Sequence, residues 1–320
     1  MKTLNLSYLQ FLTDSFSIWQ HSKGIEIDRA KGYALDDAAR ALLVALQYSD
    51  LNLAKTYLNF LETACCSYEE PVNFFDAKRQ PVNHPISPDA LGEAYWAVAS
   101  CIQQGFAVEQ AQRVALLLKS HLENMHHLRT YAYTLLGAVI VDEQFAQTLT
   151  EHLLSSYKKH ATASWPWSEV TLTYANAIVP LALLAAAEAF QKHECQEVAT
   201  TMLNFLNEVC KHNEKPMAIG NEGWYERGGT KTLHSQQPID PAYQVLANMK
   251  AYELTKEVEY KKEADLYLSW FWGNNSANEA LIDAERNRCL DGIDQHGVSI
   301  NAGAESTVCY LLAQATGATC

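Results

Sequence analysis

A chain of 320 residues has room for a large buried core, organised as one big domain or two ordinary ones. With 24 Lys+Arg against 37 Asp+Glu the net charge is −13, which disfavours nucleic acid and anionic membranes, since both require a basic footprint, and fits a neutral or cationic partner. No proline- or serine-rich linker interrupts the sequence.

The first stretch, MKTLNLSYLQFLTDSF, carries one lysine, and Asn5, Ser7, Gln10 and Asp14 break its apolar run. It therefore reads as an amphipathic first helix and lacks the continuous core of a signal peptide. Periodic apolar segments follow the spacing of helices at 5–20, 37–48, 51–66, 89–104, 108–122, 129–140, 143–160, 172–190, 195–211, 238–256, 259–272 and 303–316. Alternating β-branched runs are almost absent, so the class is all-α. Helices starting near Ala38, Ala90, Thr130, Leu172, Pro241 and Ala302 are rich in Ala, Leu, Val and Tyr, whereas those between them, such as Ala146–His160, are amphipathic and charged. A helix that is apolar all round needs neighbours on every side. Alternation of inner and outer helices at a spacing of roughly 40 to 70 residues predicts an (α/α)6 barrel over residues 1–320, with an open α-solenoid or two bundles as the alternatives.

Every inner helix is entered through a loop of unusual composition: Gly32–Arg40, Gln80–Trp96, Met125–Tyr133, the Trp165–Glu169 entrance, Gly223–Tyr243 and Cys289–Thr307. Function concentrates on such loops when a rigid scaffold holds them. Trp165–Phe190 is the clearest unit, with WPWSE feeding a run that is apolar from Ala177 to Ala187; Pro180 is expected to remove one backbone bond and bend that helix. The eight cysteines (65, 66, 101, 195, 210, 289, 309 and 320) show neither CxxC nor zinc-like spacing and read as thiols of a reducing cytosol, with neither metal nor cofactor expected. Cys65 and Cys66, being adjacent, cannot form an unstrained bridge with each other.

Asp36 and Asp37 open the first inner helix. One of them, Asp36 in the simpler reading, serves as an N-cap, while Asp37 lies about 100° round the helix and can point inward with Arg40 as partner. Asp240, between Pro238 and Pro241, is either an N-cap with Pro241 at the first helical position or a functional acid approached by Gln236 and Gln237, whose amides suit sugar hydroxyls. Trp165, Trp167 and Glu169 fall on alternate residues, as a carbohydrate site needs, where indole faces stack on a sugar and a carboxylate takes hydroxyls or moves a proton; a packing loop with a capping glutamate is the plainer alternative. Trp224, Tyr225, Glu226 and Arg227 form a second such cluster, in which Glu226 and Arg227 can also be a local ion pair. Glu305, behind Asn301, points to the lumen or binds nearby amides. Asp291 reads as a turn residue. His84, His126 and His127, with Arg129, have no metal spacing on a helix face and suit hydrogen bonding or proton transfer. Tyr33 and Asn176 complete the candidates.

In order along the chain, YALDD, WPWSE followed by TYANAI, GWYERGG, QQPID, and DGI followed by NAGAEST resemble the six-hairpin glycosidase-like superfamily, more closely a bacterial group found alone or fused to group-1 glycosyltransferases. The resemblance spans about Gly32 to Leu312 and implies an (α/α)6 barrel with a carbohydrate-related role, without a settled catalytic assignment. It points to a cytoplasmic glycoside hydrolase acting on an oligosaccharide or glycoconjugate, with its carboxylate pair drawn from Asp37, Glu169 and Asp240. The alternatives are a sugar 2-epimerase-like isomerase working through histidines, and a non-catalytic carbohydrate-binding partner of a glycosyltransferase. A prenyl-cyclase reading of the paired aspartates is weaker, because no second acidic motif is present for magnesium diphosphate.

Overall fold

The computed structural model describes residues 3–318; Cys320 lies outside them. The helices are α1 (Ser7–Phe11), α2 (Leu35–Gln47), α3 (Leu51–Cys66), α4 (Pro88–Gln103), α5 (Val108–Leu122), α6 (Leu128–Val141), α7 (Glu143–His160), α8 (Ile178–Phe190), α9 (His193–Val209), α10 (Ile239–Thr255), α11 (Val258–Trp270) and α12 (Ala304–Ala318). The even-numbered helices pack in the order α2, α4, α6, α8, α10, α12, and α12 returns to α2. That contact closes the ring and excludes the open solenoid. The odd-numbered helices from α3 to α11 lie outside, each packed on the inner helix before it. The architecture is an (α/α)6 toroid.

Composition explains which helices went inside. On α8 only Ala185, Glu188, Ala189 and Phe190 escape full burial, and on α10 Asp240, Gln244 and Asn248 are buried along with the apolar residues. On α5 burial is confined to one stripe of Gln110, Ala111, Val114, Ala115, Leu118 and Leu122. Outer helices solvate the opposite face, as their charge requires. Between α4 and α6 glycine takes the place of a side chain: a Cβ on Gly137 would stand 2.8 Å from Tyr95 Cδ1 and 3.0 Å from Trp96 Cα.

Two expected helices begin or end elsewhere. The segment 5–20 is helical only over Ser7–Phe11, because the Asp14 carboxylate accepts the amides of Phe16 and Ser17 and turns the chain back. The segment 172–190 is helical only from Ile178; Thr171–Leu172 pairs instead with Tyr225–Glu226, and the Asn176 side chain accepts from Thr173 N. Pro180 thus falls in the first helical turn, where its missing N–H forfeits no helical bond, and the expected mid-helix break does not occur.

Short two-residue ladders tie the rim loops together. Tyr33–Ala34 pairs with Phe74–Phe75, and the chain approaches closely enough at Gly32 (φ 68°) that a Cβ there would lie 1.9 Å from Phe75 O. Only glycine fits that turn. Among the described residues no helix is long and apolar enough to cross a membrane.

Candidate functional site

First-turn residues of neighbouring inner helices bond one another, which places the N-termini of the inner helices on one rim. Thr130 Oγ1 donates to Asp89 Oδ1 (2.5 Å), Arg129 Nη2 to Asn176 Oδ1 (3.1 Å), and Asn176 Nδ2 to Asp240 Oδ1 (3.4 Å). Across the closing seam Arg40 Nη2 reaches Glu305 Oε2 at 3.4 Å. Polar side-chain bonds therefore cross the mouth at these seams.

Arg40 is its hub on one side. The side chain is 2% exposed, and a single nitrogen, Nη2, faces Asp36 Oδ2 (3.1 Å), Asp37 Oδ1 (3.2 Å) and Glu305 Oε2 (3.4 Å), while Nη1 faces Glu93 Oε1 (3.4 Å). Four carboxylates crowd one cation, so charge is in excess. Burial raises the Asp37 and Glu93 carboxyls well above their ordinary range, against the pull of Arg40, and raises Glu305 as well. A cavity of about 260 Å³ opens over this group, walled by Asp36, Asp37, Glu305, Asp291, Gln237 and Phe74.

Arg129 is the hub on the other side. Its Nε donates to Tyr174 O (2.6 Å), its Nη1 to Glu169 Oε2 (3.0 Å), and its guanidinium lies 4.9 Å from the centre of the Tyr174 ring. Tyr174 OH in turn donates to Asp89 Oδ2 at 2.5 Å. A second cavity, about 310 Å³, is bounded by Asp89, Arg129, Glu169, Tyr174, His126 and His127.

Asp240 is bonded to the second hub through Asn176. It is 6% exposed, accepts from both the backbone N and Nδ2 of Asn176, and lies three residues beyond Gln237 of the first cavity; Asn176 carries the contact on to Arg129 of the second. Burial pushes its carboxyl up to about 7, with the Asn176 amide and the Arg129 charge opposing. A carboxyl that burial holds protonated toward neutrality is equipped to donate a proton.

The structure redistributes several expected roles. Trp165 (3% exposed) and Trp167 (0%) are core residues: Trp165 packs edge-on to Phe205 and Tyr225 and donates Nε1–H to Glu169 O. They hold the entrance loop and present no face to a sugar. Tyr33 is buried with its hydroxyl on Asp14 Oδ2 (2.8 Å), and Gln236 is buried between Ala218 N, Leu233 O and Ser276 Oγ. Both are frame residues. Asn301 Oδ1 accepts Gly24 N, and Asp291 accepts Gly303 N and Ser306 Oγ, which orders the loop while Asp291 still lines the first cavity. His84 is exposed, with its Nδ1 3.0 Å from Pro85 O; His127 is exposed at the edge of the second cavity. Tyr225 is part-buried in its ladder, Glu226 is exposed, and Arg227 donates to His160 O, so no Glu226–Arg227 pair forms. Trp224 leans on Tyr174 at 6.1 Å and so reaches the second cavity indirectly. Neither aspartate is an N-cap: α2 is capped without a side-chain bond at Ala34, and α10 begins at Ile239, which puts Asp240 inside the helix.

Glu93, Asp89 and Tyr174 belong to the mouth and had not been singled out. Glu93 had a usable signal, as the lone charge within LGEAYWAVASC, where an inner helix is otherwise apolar. Asp89 looked like any acid in a first helical turn, and nothing local distinguished Tyr174.

The ring and its rim have the form of an (α/α)6 barrel. No family model and no curated protein sequence matches the chain. Among solved structures it is similar to a sugar epimerase from a ruminal bacterium (TM-score 0.75, 11% identity, covering 98% of this chain and 96% of that one). It is likewise similar to the cellobiose 2-epimerase of Bacillus thermoamylovorans (0.74, 11%, 99% and 96%). An inactive variant of the α-1,6-mannanase of Salegentibacter, solved with α-1,6-mannotetrose, gives 0.66 at 11% identity over 96% and 94% of the two chains. At such identity the likeness is one of fold.

Proposed function

We propose that the protein is a carbohydrate-active enzyme, a glycoside hydrolase whose acid is Asp240 and whose second carboxylate is Asp37 or Glu169. The observation that carries this reading is Asp240, a buried acid pushed up to about 7 and tied through Asn176 to the Arg129 hub of the rim. Asp240 protonates the leaving oxygen, and the second carboxylate activates water or attacks the anomeric carbon. The mannotetrose held by the mannanase of the same fold supports an oligosaccharide ligand. A single barrel acting in the cytoplasm, with a glycosyltransferase as partner, completes the proposal.

A sugar 2-epimerase-like isomerase is the second reading, favoured by the larger overlap with epimerase structures. His126 and His127 border the second cavity and are the histidines such chemistry would use, whereas His84 is exposed. Incubation with mannosyl, glucosyl and galactosyl oligosaccharides, with and without phosphate, separates the readings: cleavage supports the hydrolase, ring epimers without cleavage the isomerase, and binding without turnover the non-catalytic partner. Asp240→Asn, Asp37→Asn and Glu169→Gln are tested in the same assay. Loss of turnover by a factor of about 100 or more in Asp240→Asn, with the fold intact, is expected; full activity in all three variants sinks the assignment.

A further inference from the structure

We propose that the cavity over Arg40 receives the primary ammonium group of an amino sugar, an inference that rests on the carbohydrate reading and specifies its substrate class. Three carboxylates, from Asp36, Asp37 and Glu305, each place one oxygen on the same nitrogen, Arg40 Nη2. Their second oxygens, Asp36 Oδ1, Asp37 Oδ2 and Glu305 Oε1, accept no hydrogen bond from the described residues, although Asp37 is only 6% exposed and lines the cavity. An ammonium group brings three N–H donors to such a set, whereas a sugar hydroxyl brings one.

The rest of the wall agrees. No lysine or arginine lines the cavity; His21, at its exposed edge, is the one basic side chain there, and Asp291 adds a further carboxylate. Gln237 offers an amide to hydroxyls, and Phe74 an aromatic edge to a pyranose. A phosphate or uronate finds no free cation, because Arg40 is surrounded by carboxylates and each nitrogen of Arg129 already has a protein partner. Among the described residues no group of three His, Cys, Asp or Glu is spaced to hold a metal ion.

Titration calorimetry on the intact protein tests this with four probes: a glucosaminyl-glucosamine disaccharide, its di-N-acetyl form, cellobiose and ethanolamine. The free-amine disaccharide should bind about tenfold tighter than either neutral disaccharide, with the margin shrinking as salt is added. Asp36→Asn and Glu305→Gln should each abolish the margin, read in each variant as the ratio of amine to neutral disaccharide affinity. Equal affinity for the amine and neutral disaccharides overturns the inference and leaves the carbohydrate reading standing. Ethanolamine binding as tightly as the amino disaccharide overturns the sugar part, and stabilisation by calcium or magnesium with none by amines assigns the carboxylates to a metal. No binding of any saccharide overturns both readings together.

Discussion

Asp240 shows how one residue acquires chemistry from its setting. An aspartate in the first turn of a helix ordinarily stays ionised, helped by free amides and the helix dipole. Here burial outweighs that help and lifts the carboxyl to about 7. The sign of the consequence is definite: because the folded-state value is raised, the stability contributed by the protonated form is complete below the ordinary aspartate range and is lost as pH rises through about 7. Thermal melts of wild type and Asp240→Asn across that interval should show wild type losing stability relative to the variant as pH increases. If Asp240 is the acid, wild-type kcat should fall along the same limb above about 7, about tenfold per unit at its steepest. Parallel melting curves for the two proteins contradict the assignment of a raised value to this residue.

At the scale of the element, α4 and α6 meet across glycine, at Gly92 on one helix and Gly137 on the other. A methyl group at Gly137 meets Trp96 backbone as well as the Tyr95 ring, so it cannot be absorbed by a simple rotamer change. Gly137→Ala gains helix propensity but should still destabilise by about 1–3 kcal/mol, read as a lower urea midpoint. The same crowding carries to the mouth, because α4 brings Asp89 and Glu93 and α6 brings Arg129 and Thr130. A variant that is stable yet loses saccharide binding would locate the shift at the rim.

For the whole molecule, closure of the ring decides whether the mouth exists. Arg40 and Glu305 lie 265 residues apart, and Gln314 clasps the N-terminal segment, donating to Leu4 O (2.8 Å) and Tyr48 OH (2.8 Å) while accepting Leu4 N (2.7 Å). Gln314→Ala leaves those buried groups unpaired and should cost about 1–3 kcal/mol in chemical denaturation. Loss of saccharide affinity together with this destabilisation would tie the seam to the site; unchanged stability would show that water replaces the glutamine.

The sequence by itself determined the helices and their sides, because an apolar-all-round segment and an amphipathic one are distinguishable from residue order alone. α3, α5 and α7 begin and end where the periodicity puts them. It also pointed to the rim loops, to Asp36, Asp37, Asp240 and Glu305 through their place at helix starts, and to Glu169 through its alternation with Trp165 and Trp167. What it could not supply was orientation within irregular loops. Trp165 and Trp167 have the residue types of a sugar platform, and only the packing of α9 and the Tyr225 strand turns them into the core. The convergence of Asp36, Asp37, Glu93 and Glu305 on Arg40 is likewise a product of tertiary structure, since charges far apart along the chain share a site only when the ring closes and water is excluded from between them.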